Sequence, residues 1–179
     1  MEHPLEKFAY CPVCGSKHFV VNNFKSKKCG DCGFTYYANP CSATAAFILR
    51  QPEGKEQELL VVRRAKEPAM GTLDLPGGFC DMGETVEEGM RREIKEETGL
   101  DVTITPGFRE ISEYCPFGKI RKRVVFFLAR AFTDNVKIQE EEIDSYIWVD
   151  LQQARKLCSY DNDLRIIEKA ELTIHLMKP

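Results

Sequence analysis

The sequence lacks the features that mark a secreted or membrane-spanning protein. None of its apolar runs approaches the roughly 18 residues that a membrane-spanning helix needs. Its amino terminus, MEHPLEKFAY, has neither the basic start nor the apolar middle of a signal peptide, and we therefore expect a cytoplasmic protein. A strong net charge is missing too: the formal value of −3 gives no general reason to expect binding to nucleic acid or to a membrane. The chain also contains no internal repeat and no low-complexity tract.

The composition is that of an ordinary globular protein. Of 179 residues, 43% are hydrophobic and 30% are charged, which suffices for one domain with a core and a small appendage. The charge is unevenly shared: residues 1–40 hold five lysines against three acidic residues, a balance of +2, and the remainder carries −5. This change predicts a boundary near Asn39-Pro40, with one domain in residues 1–38 and a second in residues 39–179.

The eight cysteines fall into two groups. Four are scattered and are predicted to be reduced, small apolar residues: Cys41, Cys80, Cys115 and Cys158. The others form two Cys-x-x-Cys-Gly pairs with fourteen residues between them: Cys11 and Cys14, then Cys29 and Cys32. Two such turns facing each other present four thiolates in the tetrahedral arrangement that zinc prefers. Disulfides are disfavoured in a cytosolic chain and a redox motif needs only one pair, so we predict a structural zinc ion.

A zinc ribbon in residues 1–38 follows from this prediction. A segment of about forty residues has too small a core to fold unaided, and a metal held by four sulfur ligands supplies the missing stability. Its lysines and aromatic residues could also contact nucleic acid: Lys25, Lys27, Lys28, Phe24 and Phe34. A solvated lysine loop on a stabilising module is the favoured interpretation, because charge runs usually form a solvent-facing surface.

A helix is predicted after the glycine-rich turn in GGFCDMGETVEEGMRREIKEETGL, residues 77–100. Thr85 and Glu88 form a capping box, which starts the helix near Val86. Gly99 is a natural cap for its carboxyl end. Both ends of this helix are therefore defined by the sequence.

Several acidic side chains of this helix are predicted to lie on or near its buried face, whereas a solvated charge run would lie on its exposed face. At 100° per residue, Val86, Met90 and Ile94 form an apolar stripe that must face the core. Glu93 and Glu97 lie on or beside that stripe. Glu96 flanks them, and the outer face takes the remaining charged residues: Glu87, Glu88, Arg91, Arg92 and Lys95. Inward carboxylates are costly unless they are paired or bound to metal, and one arginine cannot neutralise three, so we predict a site for Mg²⁺ or Mn²⁺.

Two glycines support this metal site. Gly78 follows the rigid turn Leu75-Pro76-Gly77 and could offer its backbone carbonyl to the cation. Gly89 costs the helix roughly 1 kcal/mol against alanine. Its lack of a side chain would let another segment, or a substrate, come close to the helix.

The pattern from Gly78 to Leu100 resembles the Nudix box at each of its fixed positions. These nine residues, spread over 23 positions, are Gly78, Glu84, Arg92, Glu93, Ile94, Glu96, Glu97, Gly99 and Leu100. The resemblance implies an α/β/α sandwich with a mixed sheet, and hydrolysis of the pyrophosphate bond in a nucleoside diphosphate linked to another group. It also implies divalent-metal ligation by Glu93, Glu96, Glu97 and the Gly78 carbonyl, with Arg92 orienting Glu93 and Glu84 as a support. Members of this family often form homodimers.

The general base implied by this resemblance is open between two glutamates. Glu93 is one candidate. The other is Glu142 in the run Glu140-Glu141-Glu142, ahead of Ile147-Trp148-Val149, where many Nudix enzymes place a glutamate that reaches into the site. An exposed charged loop explains this run equally well.

A zinc ribbon directly ahead of a Nudix domain also resembles the NADH pyrophosphatase family. The diagnostic SQPWPFP motif of that family corresponds here to residues 112–118, SEYCPFG, in which only Ser112, Pro116 and Phe117 agree. Tyr114 and Phe117 could stack on a base or a nicotinamide ring, but core packing explains them equally well. The departures leave selectivity for NADH open.

Three functions are compatible with these residues. We favour a pyrophosphatase that acts on a dinucleotide or nucleotide sugar such as NADH, FAD or ADP-ribose. The alternative is an enzyme that acts on nucleoside triphosphates or on capped RNA, with the ribbon helping to hold the RNA. A non-catalytic nucleotide sensor is less favoured, because all of the box glutamates are intact.

The remaining elements are predicted from apolar runs. AFILR and ELLVVRRA are expected to be neighbouring strands around a polar turn at residues 51–57, and KRVVFFLARAF a long buried strand at residues 122–132. Arg63 or Arg64 could meet phosphate, although a surface role is preferred. Residues 151–158 and 163–177 are predicted to be helices.

Overall fold

The chain folds as two units, residues 1–40 and residues 41–179. The computed structural model describes the following residues: 3–38, 42–67, 69–114, 122–157 and 161–176. Some positions named above lie outside the described residues: the boundary at Asn39-Pro40, the cysteines at 41, 115 and 158, Pro116, and the side chains of Tyr114 and Phe117. Of the scattered cysteines, Cys80 is described, and it is a buried free thiol as predicted.

The first unit is a small three-stranded antiparallel sheet. Its strands follow one another in space as they do along the chain: β1 (Phe19–Asn23), β2 (Ser26–Cys29) and β3 (Thr35–Tyr37). The core that the structure describes here consists of Cys11, Phe19 and Cys29, with Phe34 packed against them. Such a core is far smaller than an independent domain needs.

The second unit is built on a six-stranded mixed sheet, as predicted. Its strands are β4 (Ser42–Arg50), β5 (Glu58–Arg64), β6 (Leu73–Asp74), β7 (Val102–Tyr114), β8 (Lys122–Ala131) and β9 (Ile143–Asp150). The spatial order is β6-β5-β4-β8-β7, and β9 pairs with β5. The β4–β8 pair is parallel and the other pairs are antiparallel. The predicted neighbours β4 and β5 pair through Leu49 with Leu59 and Arg50 with Glu58.

Helices cover both faces of this sheet, which confirms the α/β/α sandwich. They are α1 (Val86–Thr98), α2 (Leu151–Leu157) and α3 (Asp161–Leu176). Met90 and Ile94 of α1 lie in one buried cluster, whereas Ile166 and Ile167 of α3 lie in the other. The predicted helices at the carboxyl end are thus present, with slightly different bounds.

Strand β5 shows why its sequence is an unbroken apolar run. Leu59 and Val61 pack in the cluster with α3, while Leu60 and Val62 pack in the cluster with α1. A strand with both faces buried needs apolar residues at consecutive positions instead of an alternating pattern. The predicted strand is thus present, and its run LLVV lies inside the sheet with both faces covered.

Two strands were missed by the sequence analysis. β7 carries an irregularity between Ile104 and Arg109, at Pro106-Gly107, which interrupts any simple alternation. β6 has only two residues and pairs with the end of β5. Within the described residues, none of the helices has the length and apolarity needed to cross a membrane.

Candidate active site

Helix α1 begins and ends where the sequence predicts. The Thr85 hydroxyl accepts from the Glu88 backbone N–H at 3.2 Å, and the Glu88 carboxylate accepts from the Thr85 N–H at 2.8 Å. Gly99 adopts φ 70° and donates its N–H to the Lys95 carbonyl. Such a left-handed cap strongly favours glycine. The helix is therefore fixed at both ends before any tertiary contact is counted.

The inner face of α1 also follows the predicted stripe. Met90 and Ile94 are fully buried, and Val86 packs against the same cluster. Gly89 lies on Cys80, whose sulfur and backbone would be too close to any added side chain. The expected close approach at Gly89 is thus confirmed, and the approaching segment is the loop that leads into the helix.

Arg92 is the centre of an ion-pair network. Its guanidinium donates to both carboxylate oxygens of Glu84, at 2.7 and 3.1 Å, to Glu93 at 2.8 Å and to Glu96 at 3.0 Å. A further N–H donates to the Phe79 carbonyl at 2.9 Å. The Glu84 carboxylate raises the pKa of Arg92, which stays charged. The prediction of an outer-face position is wrong for this guanidinium, because a helical wheel locates the Cβ and not the end of a long side chain.

Glu97 has a different environment, although it belongs to the same acidic run. It is 8% exposed, and its carboxylate accepts from the Gly77 N–H at 3.0 Å. Among the described residues, no cation lies within ion-pairing distance of it. Burial raises the pKa of Glu97 to about 8, and the charges of Glu93, Glu142 and Asp74 act in the same direction. A buried, unneutralised carboxylate of this kind has high affinity for a positive charge.

The Gly77-Gly78 turn lies directly on these carboxylates. A Cβ at Gly78 would overlap the carboxylate of Glu93, whose own pKa is raised by burial despite Arg92. Gly77 has φ 150°, and a Cβ there would overlap the Thr44 carbonyl. The Gly78 carbonyl accepts from the Thr44 N–H at 2.7 Å, with the Thr44 hydroxyl at 3.4 Å. A carbonyl has two lone pairs, and because the hydroxyl contact is long, a cation could replace the Thr44 hydroxyl at the second one.

The three glutamates do not converge on a single point. Glu96 is 55% exposed at its side chain and is drawn toward Arg92, whereas Glu97 is drawn toward Gly77. Within the described part of the chain, the only group of three or more histidine, cysteine or acidic side chains whose ligand atoms lie within 4.8 Å of one another is a cysteine cluster. Of the three, Glu97 lines the open cleft described below, and Glu93 and Glu96 do not.

Backbone hydrogen bonds bring Glu142 to the same place. The Gln139 N–H donates to the Glu97 carbonyl at 3.0 Å, and the Glu142 N–H donates to the Gln139 carbonyl at 2.9 Å. The Ala65 N–H donates to the Glu142 carbonyl at 2.8 Å. The Glu142 carboxylate lies 3.1 Å from the Lys66 ammonium. This segment therefore ties the end of α1 to the end of β5, with Glu142 at the junction.

A cleft opens between these elements, and some of its charged residues were missed by the sequence analysis. Its charged lining consists of Arg64, Lys66, Glu67, Asp74, Glu97 and Glu142. Arg64, one of the two arginines considered for phosphate, lies 3.6 Å from Asp74. Asp74 could have been found, because it directly precedes the Leu75-Pro76-Gly77-Gly78 turn. Lys66 had no such signal.

The cysteine cluster lies in the first unit and has the predicted members. The sulfurs of Cys11, Cys14, Cys29 and Cys32 lie within 4.8 Å of one another, and the Cys11–Cys32 and Cys14–Cys29 separations are each 3.6 Å. Sulfurs ~2.3 Å from a tetrahedral zinc ion would be ~3.8 Å apart. The backbone N–H of Cys32 lowers the pKa of Cys29, whereas the sulfur contacts in the cluster raise the pKa of Cys14, as expected when neighbouring thiols share their protons. These four residues fit a closed metal site.

One lysine of the first unit departs from the predicted solvated loop. Lys27 is buried, donates to the Phe8 carbonyl at 2.7 Å, and lies 5.5 Å from the centre of the Phe19 ring. Its ammonium therefore stabilises the small core. Lys28, on strand β2, is exposed, and Lys25 is partly exposed.

Comparison with known proteins identifies the family of the second unit. A model of the NUDIX domain family matches residues 40–170, well over half of the chain. This chain belongs to the NUDIX domain family. The resemblance drawn from the box is thus confirmed, and the sheet, the helices and the acidic cleft described above are those of a Nudix domain.

Curated relatives of this Nudix chain carry two names. NAD-capped RNA hydrolase NudC of Vibrio atlanticus is 26% identical over 151 residues, covering 83% of this chain and 52% of the relative. The protein of the same name from Vibrio vulnificus is 31% identical over 103 residues, covering 56% and 36%. ADP-ribose pyrophosphatase of Methanocaldococcus jannaschii is 43% identical over 67 residues, covering 37% of each. The chain spans about half, or less, of the length of these relatives.

Solved structures share the fold of this Nudix chain. The Ap4A hydrolase of C. elegans, in a binary complex, superposes with a TM-score of 0.67 at 27% identity, covering 75% of this chain and 97% of the other. The Nudix domain of Shewanella oneidensis NrtR, complexed with ADP-ribose, superposes with a TM-score of 0.60 at 21% identity, covering 78% and 90%. The second likeness concerns the fold alone.

Proposed function

We propose that this Nudix chain hydrolyses the pyrophosphate bond of a nucleoside diphosphate joined to a second group, as in NADH, FAD or ADP-ribose. The observation that carries the proposal is Glu97, a buried carboxylate with no cation partner among the described residues, at a cleft where Asp74 and Glu142 add negative charge. Acidic residues gathered around an open space suit a substrate that arrives with divalent cations. The relatives named for ADP-ribose and the structural neighbour named for Ap4A support this substrate class.

The proposed cation is Mg²⁺ or Mn²⁺, held by Glu93, Glu96, Glu97 and the Gly78 carbonyl. All of these donors are oxygens, which such hard cations prefer. Glu93 and Glu97 already face inward against the Gly77-Gly78 turn. Glu96 joins them by turning away from Arg92, to which it is held by an exposed contact. A bound divalent cation supplies positive charge that neutralises phosphate oxygens and makes water more acidic.

Other side chains of the site would position the metal ligands and accept a proton from water. Arg92 holds Glu93 in place, and Glu84 in turn fixes Arg92 through two hydrogen bonds. Glu93 and Glu142 are the candidates for removing a proton from the attacking water. Glu142 is held at its carboxylate by the exposed Lys66 pair, so it can turn toward the substrate at small cost.

Capped RNA is a second candidate substrate. The specific observation is that relatives named NAD-capped RNA hydrolase align with up to 86% of this chain, including residues of both units. An NAD cap contains a pyrophosphate bond of the kind proposed above, so the same acidic cleft would perform the chemistry. The two candidates differ in what lies beyond the scissile bond.

We also propose that residues 1–38 form a ribbon stabilised by one structural Zn²⁺ on Cys11, Cys14, Cys29 and Cys32. Four sulfur ligands complete a tetrahedron and leave no open position, so this metal takes no part in hydrolysis. The small core of the unit supports a stabilising role.

Exchange of Glu97 tests the proposed hydrolysis. Hydrolysis of a nucleotide library is followed by chromatographic detection of the nucleoside monophosphates formed, because cleavage of NADH, FAD or ADP-ribose yields two phosphate monoesters and no free phosphate. Wild type, Glu97→Gln and the control Glu87→Gln, whose partly exposed side chain lies on the same helix, are compared with Mg²⁺ or Mn²⁺. We expect cleavage of at least one dinucleotide, a loss of roughly a hundredfold or more in Glu97→Gln, and a change below about twofold in the control.

Two results would contradict the proposal. Equal activity of Glu97→Gln and wild type on every cleaved compound would remove Glu97 from the catalytic site. Tight nucleotide binding by wild type without any cleavage would instead identify a nucleotide sensor.

A further inference from the structure

We infer that one face of the first unit binds single-stranded RNA. The outer ribbon face consists of Val20, Phe24, Lys25, Lys28 and Tyr37. It is separate from the acidic cleft and from the four cysteines, and RNA binding to it can be measured without hydrolysis. It deepens the second candidate of the proposed function, in which the RNA beyond the cap needs a binding surface.

Positive charge is concentrated in this unit. Between Glu6 and Asp31 the chain contains five lysines and no acidic residue. Asp31 is itself engaged by the Ser16 hydroxyl and by His18, whose ring nitrogen lies 3.4 Å from its carboxylate. The whole unit, residues 1–40, carries a formal charge of +2 because Glu2 and Glu6 precede this run, and it does so inside a protein of net charge −3. A polyanion is the partner that this asymmetry favours.

The strand register places three residues of the outer ribbon face side by side. Lys28 on the central strand β2 is paired with Val20 on β1 and Thr35 on β3, and Tyr37 is paired with Ser26. Because alternate residues of a strand point to opposite faces, Val20, Lys28 and Tyr37 share the face opposite to the buried Phe19. Val20 and Tyr37 are each 49% exposed. One lysine is thus flanked by an exposed ring and an exposed aliphatic side chain.

The turn between β1 and β2 adds a second exposed ring to the same hairpin. Phe24 is 61% exposed, and the ammonium of Lys25 lies 5.4 Å from the centre of its ring. An exposed ring with a cation beside it can stack on a base while the cation meets the adjoining phosphate. Lys27 does not contribute, because its ammonium is taken up by the Phe8 carbonyl and the Phe19 ring.

The chemistry of this face distinguishes a single RNA strand from other partners. Exposed rings can stack only on bases that are already unstacked, which excludes a duplex; proteins commonly read RNA in such single-stranded form. A second copy of the chain would bring Lys25 and Lys28 against identical lysines, and that contact is repulsive.

Fluorescence anisotropy with a 5′-fluorescein 12-nucleotide RNA tests the inference. The zinc-loaded full chain is used without added Mg²⁺ or Mn²⁺, and wild type is compared with Phe24→Ser/Lys28→Gln. We expect about tenfold weaker binding for this variant, since stacking on one ring and one phosphate contact are lost. The logarithmic salt slope of the binding constant should also fall by about 0.7 for the lysine removed.

A matched control replaces one exposed phenylalanine and one exposed lysine in the second unit. Phe132→Ser/Lys55→Gln replaces a ring that is 71% exposed and an exposed lysine, and should bind the RNA within about twofold of wild type. About one zinc per chain in the ribbon variant shows that its fold is retained, as does unchanged hydrolysis of a dinucleotide. Equal loss of RNA affinity in both variants would overturn the inference.

Other outcomes separate this inference from the proposed hydrolysis. Equal RNA affinity of the ribbon variant and wild type, or tighter binding of the matching DNA strand or RNA duplex, overturns it. A wild-type dimer that dissociates in the ribbon variant, seen by light scattering, would assign the face to self-association and overturn it as well. RNA binding without nucleotide hydrolysis would leave the inference standing and remove the proposed function; hydrolysis without RNA binding would do the reverse.

Discussion

The four cysteines of the first unit and the carboxylates of the second are held in place by different means. The cysteines come from two short turns, and their sulfurs meet within 4.8 Å. Carboxylates of the cleft come from α1, from β6 and from the segment before β9, and each has its own partner: the Gly77 N–H for Glu97, Arg64 for Asp74, and Lys66 for Glu142. The cysteines can saturate a metal, whereas the carboxylates leave an open space that a substrate can enter.

Local and long-range assembly therefore serve different purposes in this molecule. A closed site made from two turns needs little supporting structure, and it stabilises a unit whose core is only a few residues. An open site needs carboxylates held apart on separate elements, and the sheet with helices on both faces supplies that rigidity. Removing one ligand should accordingly have different consequences in the two places.

The largest effect is expected from Cys29→Ser. Cys29 is fully buried and belongs to both the sulfur cluster and the small core, so its loss should release the zinc and unfold residues 3–38. The second unit has its own two cores and should keep hydrolysing small dinucleotides. Elemental analysis, limited proteolysis of the first unit and dinucleotide hydrolysis measure the three consequences.

Cys80→Ser is the control for that experiment. Cys80 is also a buried free cysteine, but it packs on Gly89 in the second unit. Its exchange should leave about one zinc per chain. Zinc retained by Cys29→Ser, or hydrolysis lost together with the ribbon, would show that the two sites are not independent.

A smaller effect is expected from Glu97→Gln in the absence of a divalent cation, and it is a gain in stability where Cys29→Ser causes a loss. Burial raises the pKa of Glu97 to about 8 from an ordinary 4.5, so the folded state binds this proton more tightly than the unfolded state does. Uptake of this proton therefore stabilises the folded protein fully below about pH 4.5, and this stabilisation is lost as the pH rises toward 8. Glutamine does not titrate, and the variant should unfold at a temperature several degrees above wild type at pH 8.

Thermal unfolding at pH 5 and pH 8 checks this expectation. The difference between wild type and Glu97→Gln should shrink at pH 5, and Mg²⁺ at pH 8 should raise the unfolding temperature of wild type alone. Glu87→Gln, with a partly exposed side chain outside the proposed cation site, should match wild type at both pH values and in its response to Mg²⁺. A Glu97→Gln chain less stable than wild type at pH 8 would mean that the carboxylate is already neutralised in the folded protein.

The difference between local and long-range contacts also explains which features could be predicted from the sequence. The cysteine pairs, the Thr85–Glu88 capping box and the inward position of Glu97 follow from spacing within one segment, and all were predicted. Lys66 and the backbone tie from Gln139 to Glu97 join segments that are distant in sequence, so no local pattern marks them. Glu142 was reached only through the family resemblance, for the same reason.

The smallest effect on catalysis is expected from Lys66→Met, which tests whether this ammonium binds the substrate in the open site. The Lys66–Glu142 pair is 55% and 44% exposed, so it contributes little to stability and can exchange partners. If its ammonium turns to a substrate phosphate when Glu142 turns to the reaction, KM for a dinucleotide should rise about fivefold while kcat changes less than about twofold. Lys95→Met is the control, because its ammonium pairs with Asp101 outside the cleft. A lowered kcat at unchanged KM would instead mean that Lys66 positions Glu142 for the chemical step and does not bind the substrate.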